Sequence, residues 1–360
     1  MGQFKTKWIQ EAQRSIIRTR TGGNNFARKS KTSSPIVPCP SIQNNLVNEY
    51  LKTNKRKIVI LSKEDWANSG QKIAEAIRNY TSYYAICITI LPSPSFYPYS
   101  RDLVIGTTWN TSNKNWTLAK QIIEKAGIIH IKSNKSLGFS FANINLERRK
   151  PIIYTHGGSV YRANWKKINK ETDYVAARTV LMPDLIHSPD TIFTPHPIDI
   201  IKVKPIPLNQ KNSKLTLSHS PSNISFKKTH LLDSLKKDDR LNIDIITNTP
   251  YLRCLERKAR SHIFYDRIQD SCNSYGNSAV EACALGLATI SYWDKVYAPL
   301  LNNCPIVSCK ENQLKVEIEK LINETSYRLE KGRQCREWVE SFHGAHKIAK
   351  LFQKIYLELA

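Results

Sequence analysis

The chain lacks any long apolar run: no stretch approaches the roughly 18 consecutive apolar residues that a membrane-spanning helix needs. The basic N-terminus also lacks the apolar core and small-residue cleavage site of a secretory signal, so a cytoplasmic protein is expected, with room for peripheral attachment to a membrane. Its 8 cysteines (Cys39, Cys87, Cys254, Cys272, Cys283, Cys304, Cys309 and Cys335) include no C-x-x-C pair. That spacing argues against zinc knuckles and suits reduced, mostly buried thiols. Acidic residues are scarce: 30 Asp and Glu against 54 Lys and Arg leave a net charge of +24. Such an excess favours polyanions such as nucleic acid or anionic lipid, although part of it accompanies the abundant Lys, Asn and Ile of AT-rich coding.

What is present is a chain of 360 residues with 41% hydrophobic content, suited to two globular domains. Residues 1–40 form a basic arm and linker. Within it Phe4, Trp8, Ala12 and Ile16 recur every fourth residue, so a helix over 3–18 carries an apolar stripe beneath a cationic face. Such a helix suits a membrane interface, DNA phosphates or its own protein equally well. From residue 57 apolar runs alternate with helical patterns: KIVILS at 57–62, a helix over 71–79, strands over 84–91, 102–107, 127–131 and 150–155, and a helix over 116–126. Closing strands follow over 176–182 and 190–193. Alternation of this kind is the mark of a doubly wound parallel sheet. Residues 41–197 are therefore read as one Rossmann-like domain, the proline-bearing 198–213 as a hinge, and 214–336 as a second α/β domain. A last amphipathic helix is expected over 338–359, within a C-terminal segment 337–360.

The most informative stretch is 271–286, SCNSYGNSAVEACALG, between two short apolar runs. Tyr275, Gly276, Asn277 and Ser278 turn the chain into a helix, and Gly286 is the residue expected just past its end. Glu281 then lies in the first turns, at the carboxyl edge of a sheet, where open α/β sheets bind ligands. The competing reading is a capping box, with Ser278 as cap and Glu281 closing on backbone amides. Lys227 and Lys228 open another helix, where they oppose its dipole unless an anion shares the place. The glycine-rich turn His156-Gly157-Gly158 follows a strand, with Arg162 shortly after. His156 there is either a satisfied structural histidine or a functional one. Trp66, Trp109 and Trp165 follow apolar segments and are expected to pack.

Five stretches resemble the GT-B glycosyltransferases, in particular the bacterial-type retaining members: DWANSG (65–70), HGGSVYR (156–162), HSPSNISFK (219–227), YGNSAVEACALG (275–286) and REWVESFHGAH (336–346). They stand in the family's order. The resemblance implies a GT-B fold of two Rossmann-like domains flanking a sugar-nucleotide cleft, with the C-terminal helix crossing back to the first domain. It implies that His156, Arg162 and Lys227 are catalytic, with Lys227 on the donor diphosphate and Glu281 on the ribose hydroxyls. The donor would also meet His219, Ser222, Asn223, Lys228, Tyr275, Gly276 and the amides of Asn277, Ser278 and Ala279. Asn68, Ser69, Gly70, Gly157 and Gly158 would line the acceptor side. The chain departs from the pattern at Asn273, where many members carry a second glutamate, and at Ser222 and Ile224, where they carry an arginine. A third departure is Lys228, which replaces a glycine. There is no Asp-x-Asp, so metal-independent transfer is expected, without cofactor and with a nucleotide-diphosphate sugar as co-substrate.

Three functions stay in view. The first is sugar transfer to a glycan or lipid-linked glycan. The second is sugar transfer to a modified DNA base, with base flipping. The third is a non-catalytic nucleic-acid or membrane binding module on a degenerate GT-B fold. Deleting residues 1–31 removes 8 basic residues and 1 acid. If the arm serves an anionic surface, this deletion abolishes co-sedimentation with anionic liposomes; unchanged co-sedimentation would show that the arm plays no part in it.

Overall fold

The computed structural model describes residues 44–91, 102–133, 137–268 and 272–359. The basic arm and the helix expected over 3–18 lie outside these residues. The described chain divides into two compact units, one running to Pro197 and resuming at Ile348, the other Ile198–Lys347. Among the described residues no helix is long and apolar enough to cross a membrane.

The first unit opens with helix α1 (Asn44–Lys52) and strand β1 (Arg56–Ser62), followed by a 3-10 turn at Trp66–Asn68 and helix α2 (Ser69–Tyr80). Strands β2 (Tyr83–Thr89) and β3 (Leu103–Val104), helix α3 (Lys114–Lys125) and strand β4 (Ile128–Lys132) come next. A short antiparallel hairpin of β5 (Ser140–Phe141) and β6 (Ile144–Asn145) precedes β7 (Ile152–His156), α4 (Ser159–Glu171), β8 (Ala177–Val180) and β9 (Thr191–Phe193). The seven-stranded sheet has the order β3-β2-β1-β4-β7-β8-β9, parallel throughout. Its strands are apolar on both faces because both are covered. Val59, Leu61, Ile86 and Ile129 pack with Tyr50 of α1 and Ile122 of α3. The alternate residues Ile58, Ile60, Ala85 and Ile128 pack with Ile73 and Ile77 of α2.

The second unit carries β10 (Thr216–His219), a 3-10 segment Thr229–Lys237, β11 (Asn242–Ile245), α5 (Tyr251–Ala259), β12 (Ile263–Tyr265), α6 (Asn277–Ala284) and β13 (Ala288–Ile290). Helices α7 (Leu314–Asn323) and α8 (Thr325–Trp338) follow. Its sheet order is β11-β10-β12-β13, again all parallel. Residues 198–213, expected as a hinge, are tied along this unit. Arg336 donates to the carbonyls of Ile200 and Val203 at 3.0 and 2.8 Å, and the Asn212 amide donates to Arg260 O at 3.0 Å.

The single terminal helix expected over 338–359 is not what forms. Helix α8 runs through to Trp338, loosens into a π turn at Val339–His343, and a new helix α9 (Ala345–Leu357) begins after Gly344. Gly344 instead pairs with the extended Ile198: the Ile198 amide donates to His343 O and the Ala345 amide to Ile198 O, each at 2.9 Å. Sheet-like bonds have replaced helical ones there. Ile348, Phe352, Ile355 and Tyr356 of α9 then join the core on the α2 side of the first sheet. Strand β3 is also shorter than expected, because Gly106 at φ +85° turns the chain after it. Helix α4 had a readable stripe in Tyr161, Trp165 and Ile168, at spacings of four and three, that the glycine turn before it obscured.

Helix α8 crosses the backbone of Gly286, which sits at φ +70° just past α6. A Cβ at position 332 would lie 2.5 Å from Gly286 O. Gly332→Ala is therefore expected to destabilise the second unit by about 3 kcal/mol, read as a lowered urea midpoint. A midpoint unchanged within error would mean that α8 can slide away at no cost.

Candidate functional site

In the second unit β11 pairs on one side of β10 and β12 on the other, so the order in which strands are added reverses between β10 and β12. The carboxyl ends of two such strands open onto a crevice between diverging connections. Two oppositely charged side chains meet at this point. Lys227, from the loop after β10, forms a buried ion pair with Asp266, which directly follows β12. Asp266 also accepts the Gly276 amide at 2.7 Å and the Ser291 hydroxyl at 3.2 Å, with the Arg267 guanidinium at 3.9 Å. Burial pushes the Asp266 carboxyl up, but Lys227 and Arg267 overcome this and hold it well below the usual carboxylate range. Burial draws Lys227 down, and Asp266 offsets only part of that.

Helix α6 starts beside this pair, with Gly276 as its cap. A Cβ on Gly276 would stand 3.0 Å from Asp266 Oδ2 and 3.5 Å from Lys227 Nζ, so the approach requires glycine. The Ala279 and Val280 amides return to Gly276 O at 3.0 and 3.3 Å. The half-buried Asn277 and Ser278 are left to present the helix's two amides without an intrahelical acceptor. Of the three amides expected to face phosphate, that of Ala279 is thus already engaged. One turn on, Glu281 is buried and its Oε2 accepts from Lys258 Nζ at 2.8 Å. Lys258 on α5 escaped the sequence reading, where it stands as one basic residue among several in YLRCLERKA. Burial presses its pKa down and Glu281 more than restores it.

Ser278 stands inside α6 rather than at its cap, which removes the capping-box reading of Ser278 and Glu281. His219, expected to meet the donor, is fully buried, with Nδ1 at 2.8 Å from Tyr265 O and Nε2 at 2.9 Å from Thr229 Oγ1. Tyr275 also faces inward, its hydroxyl 3.1 Å from His343 Nε2 and its ring edge-on to Trp338. Ser222 and Asn223 are exposed, and Asn223 Oδ1 accepts the Phe226 amide at 2.8 Å. Lys228 takes φ +49° and pairs with Glu311 at 2.7 Å. Its left-handed backbone is a conformation that glycine adopts freely.

In the first unit the reversal falls between β1 and β4. Asp65, after β1, is buried and accepts the α2 amides of Gly70 at 2.6 Å and Gln71 at 3.0 Å, with Lys132 of β4 at 3.9 Å. An internal carboxylate thus closes the start of α2 to outside anions. Asp65, Ala67 and Asn68 all take positive φ, which brings Asn68 into the fold with its buried Oδ1 unpartnered. Ser69 donates to Trp66 O at 3.1 Å. His156 ends β7, with Nδ1 at 2.7 Å from Ser133 O and its ring stacked 4.1 Å from that of Tyr161. Because a carbonyl only accepts, Nδ1 carries the proton and the buried, unpartnered Nε2 offers a lone pair. Gly157 and Gly158 lead into α4, Gly158 at φ +86°. Arg162 is engaged at 2.8 Å with the fully buried Asp184. Among the described residues no group of three or more His, Cys, Asp or Glu converges as a metal ion requires.

Two Rossmann-like units of this kind define the GT-B fold. Neither a protein-family model nor a curated protein sequence matches the chain. Among solved structures, an alpha-glucosyltransferase in complex with UDP and a 13-mer DNA containing a central A:G mismatch is 12% identical over 84% of this chain and 99% of that one, at TM-score 0.61. HepE of Anabaena in complex with UDP-glucose is 10% identical over 84% and 100%, at TM-score 0.59. UDP-GlcNAc 2-epimerase from Neisseria meningitidis bound to UDP-GlcNAc is 10% identical over 84% and 100%, at TM-score 0.50. At these identities the likeness is one of fold.

Burial holds His130 and His156 at about 3 and His219 at about 4, against an ordinary 6.5. The unfolded chain therefore takes up protons first. Stability is fully present above about 6.5 and is lost as pH falls from there towards the folded values. Lowering pH from about 7.5 to about 5.5 is expected to remove about 1.4 kcal/mol per histidine, seen as falling urea midpoints. Midpoints that stay level over this range would contradict neutral burial.

Proposed function

We propose that this chain is a glycosyltransferase moving a sugar from a nucleotide-diphosphate donor to an acceptor, a glycan or lipid-linked glycan. The carrying observation is the crevice of the second unit. Within one turn of the α6 start it gathers a buried lysine, two amides without intrahelical acceptors and a buried glutamate.

In this reading the diphosphate lies against the Asn277 and Ser278 amides and competes with Asp266 for Lys227. Charge builds on that diphosphate as the glycosidic bond breaks. Cations and dipoles already fixed in place stabilise the transition state more than the ground state. Glu281 takes the ribose hydroxyls. In the first unit the unpartnered His156 Nε2 is the group left to accept a hydroxyl, in this reading one of the acceptor. Arg162, committed to Asp184, sets the start of α4 rather than touching sugar.

The charge distribution favours a polyanionic acceptor and keeps DNA as the second reading. Residues 44–197 with 348–360 hold 23 Lys and Arg against 12 Asp and Glu, whereas 198–347 hold 23 against 17. Tight duplex binding whose affinity falls steeply with salt would select DNA; indifference to duplex would leave the glycan.

A screen of nucleotide sugars by thermal shift and slow hydrolysis tests the donor site. A donor is expected to stabilise the parent chain and to release free sugar. Glu281→Ala and Lys227→Ala are each expected to weaken that donor by about tenfold or more, a loss of about 1.4 kcal/mol. Recovery of an epimerised nucleotide sugar in place of free or transferred sugar would overturn the transferase reading.

A further inference from the structure

Helix α5 docks through an unusual residue. Its buried positions are Lys258 and Ala259, and the Lys258 side chain is only 1% exposed. An apolar residue of that length would fill the same space without removing a charge from water, so packing alone does not account for a lysine. Lys258 Nζ lies 2.8 Å from Glu281 Oε2 and 5.0 Å from the centre of the Phe264 ring. Cys254 faces the pair from α5 itself, and Asp266 and Lys227 act on Lys258 from the strand ends. Arg336 of α8 donates to Ala284 O at the far end of α6.

We infer that Lys258 is a positioning residue for the donor: its ion pair holds the Glu281 carboxylate, within the first two turns of α6, as a fixed acceptor for the two vicinal hydroxyls of the nucleotide ribose. The inference rests on the donor site proposed above. A carboxylate can accept from both hydroxyls at once, whereas a protonated carboxyl must spend one oxygen as a donor. Without the lysine, burial favours the protonated form. Lys258 thus sets both the direction and the charge of the group that distinguishes ribose from deoxyribose.

The experiment measures binding of UDP, GDP, ADP and CDP to the full chain by calorimetry, then of the 2′-deoxy counterpart of whichever binds. The parent is expected to prefer the ribonucleotide by about tenfold or more. In K258M that preference falls towards unity. The ratio of variant to parent Kd shrinks as pH rises, because burial without the lysine favours the protonated carboxyl and rising pH returns its charge. K258R, which keeps the cation, restores the preference. Should K258M not fold, K258Q removes the charge while leaving a donor on Glu281, and the same pH trend is expected. A ribonucleotide preference unchanged in K258M or K258Q, with a Kd ratio flat across pH, overturns the inference and leaves the donor site standing. If the parent binds none of the four nucleotides, the donor site itself fails and the inference falls with it.

Discussion

Asp266 is the carboxylate on which the second unit's crevice depends. One residue past β12, it joins the loop that carries Lys227, the amide at the start of α6 and the hydroxyl of Ser291 after β13. Three separately connected segments are held to one point, and glycine at 276 is required because the carboxylate occupies the space a side chain would need. An ionised group this deeply buried is tolerable only because two cations and two donors surround it.

The first unit repeats the device with a different result. Asp65 likewise follows a central strand, takes helix amides and has a lysine nearby, but it consumes the amides of both Gly70 and Gln71. Asp266 takes only Gly276, leaving the next two amides of α6. The same chemistry therefore closes one helix start and leaves two amides of the other without an intrahelical acceptor, which is the difference the proposed donor site rests on.

The parallel sheets were legible in the sequence because strands covered on both faces read as unbroken apolar runs, as KIVILS and YAICITIL do. Gly286 ended α6 as a glycine past a helix should. What escaped was set by partners far along the chain. Nothing near Lys258 announces that Glu281 will meet it 23 residues later. Nothing near Gly344 shows that Ile198 will open a helix by pairing with it. His219 and Tyr275 carried polar groups that suggested a ligand, and the fold spends those groups on its own interior. Asp266 is the counter-charge of the lysine expected to bind phosphate, a pairing concealed by the 39 residues between them.

Helix α9 has a consequence for the order in which the protein is made. Tyr356 reaches back to His130 at 2.8 Å across 226 residues of sequence. With Ile348 and Phe352 it covers apolar strand residues of the first unit. During synthesis that face stays bare while the whole of Ile198–Lys347 is translated, a delay of roughly 8–30 s at ordinary elongation rates. The unit whose sequence comes first is thus the last to be finished. The second unit, contiguous in sequence, can close its own core while its predecessor still awaits its final helix, and during that interval the exposed strands are the part of the nascent chain most in need of a chaperone.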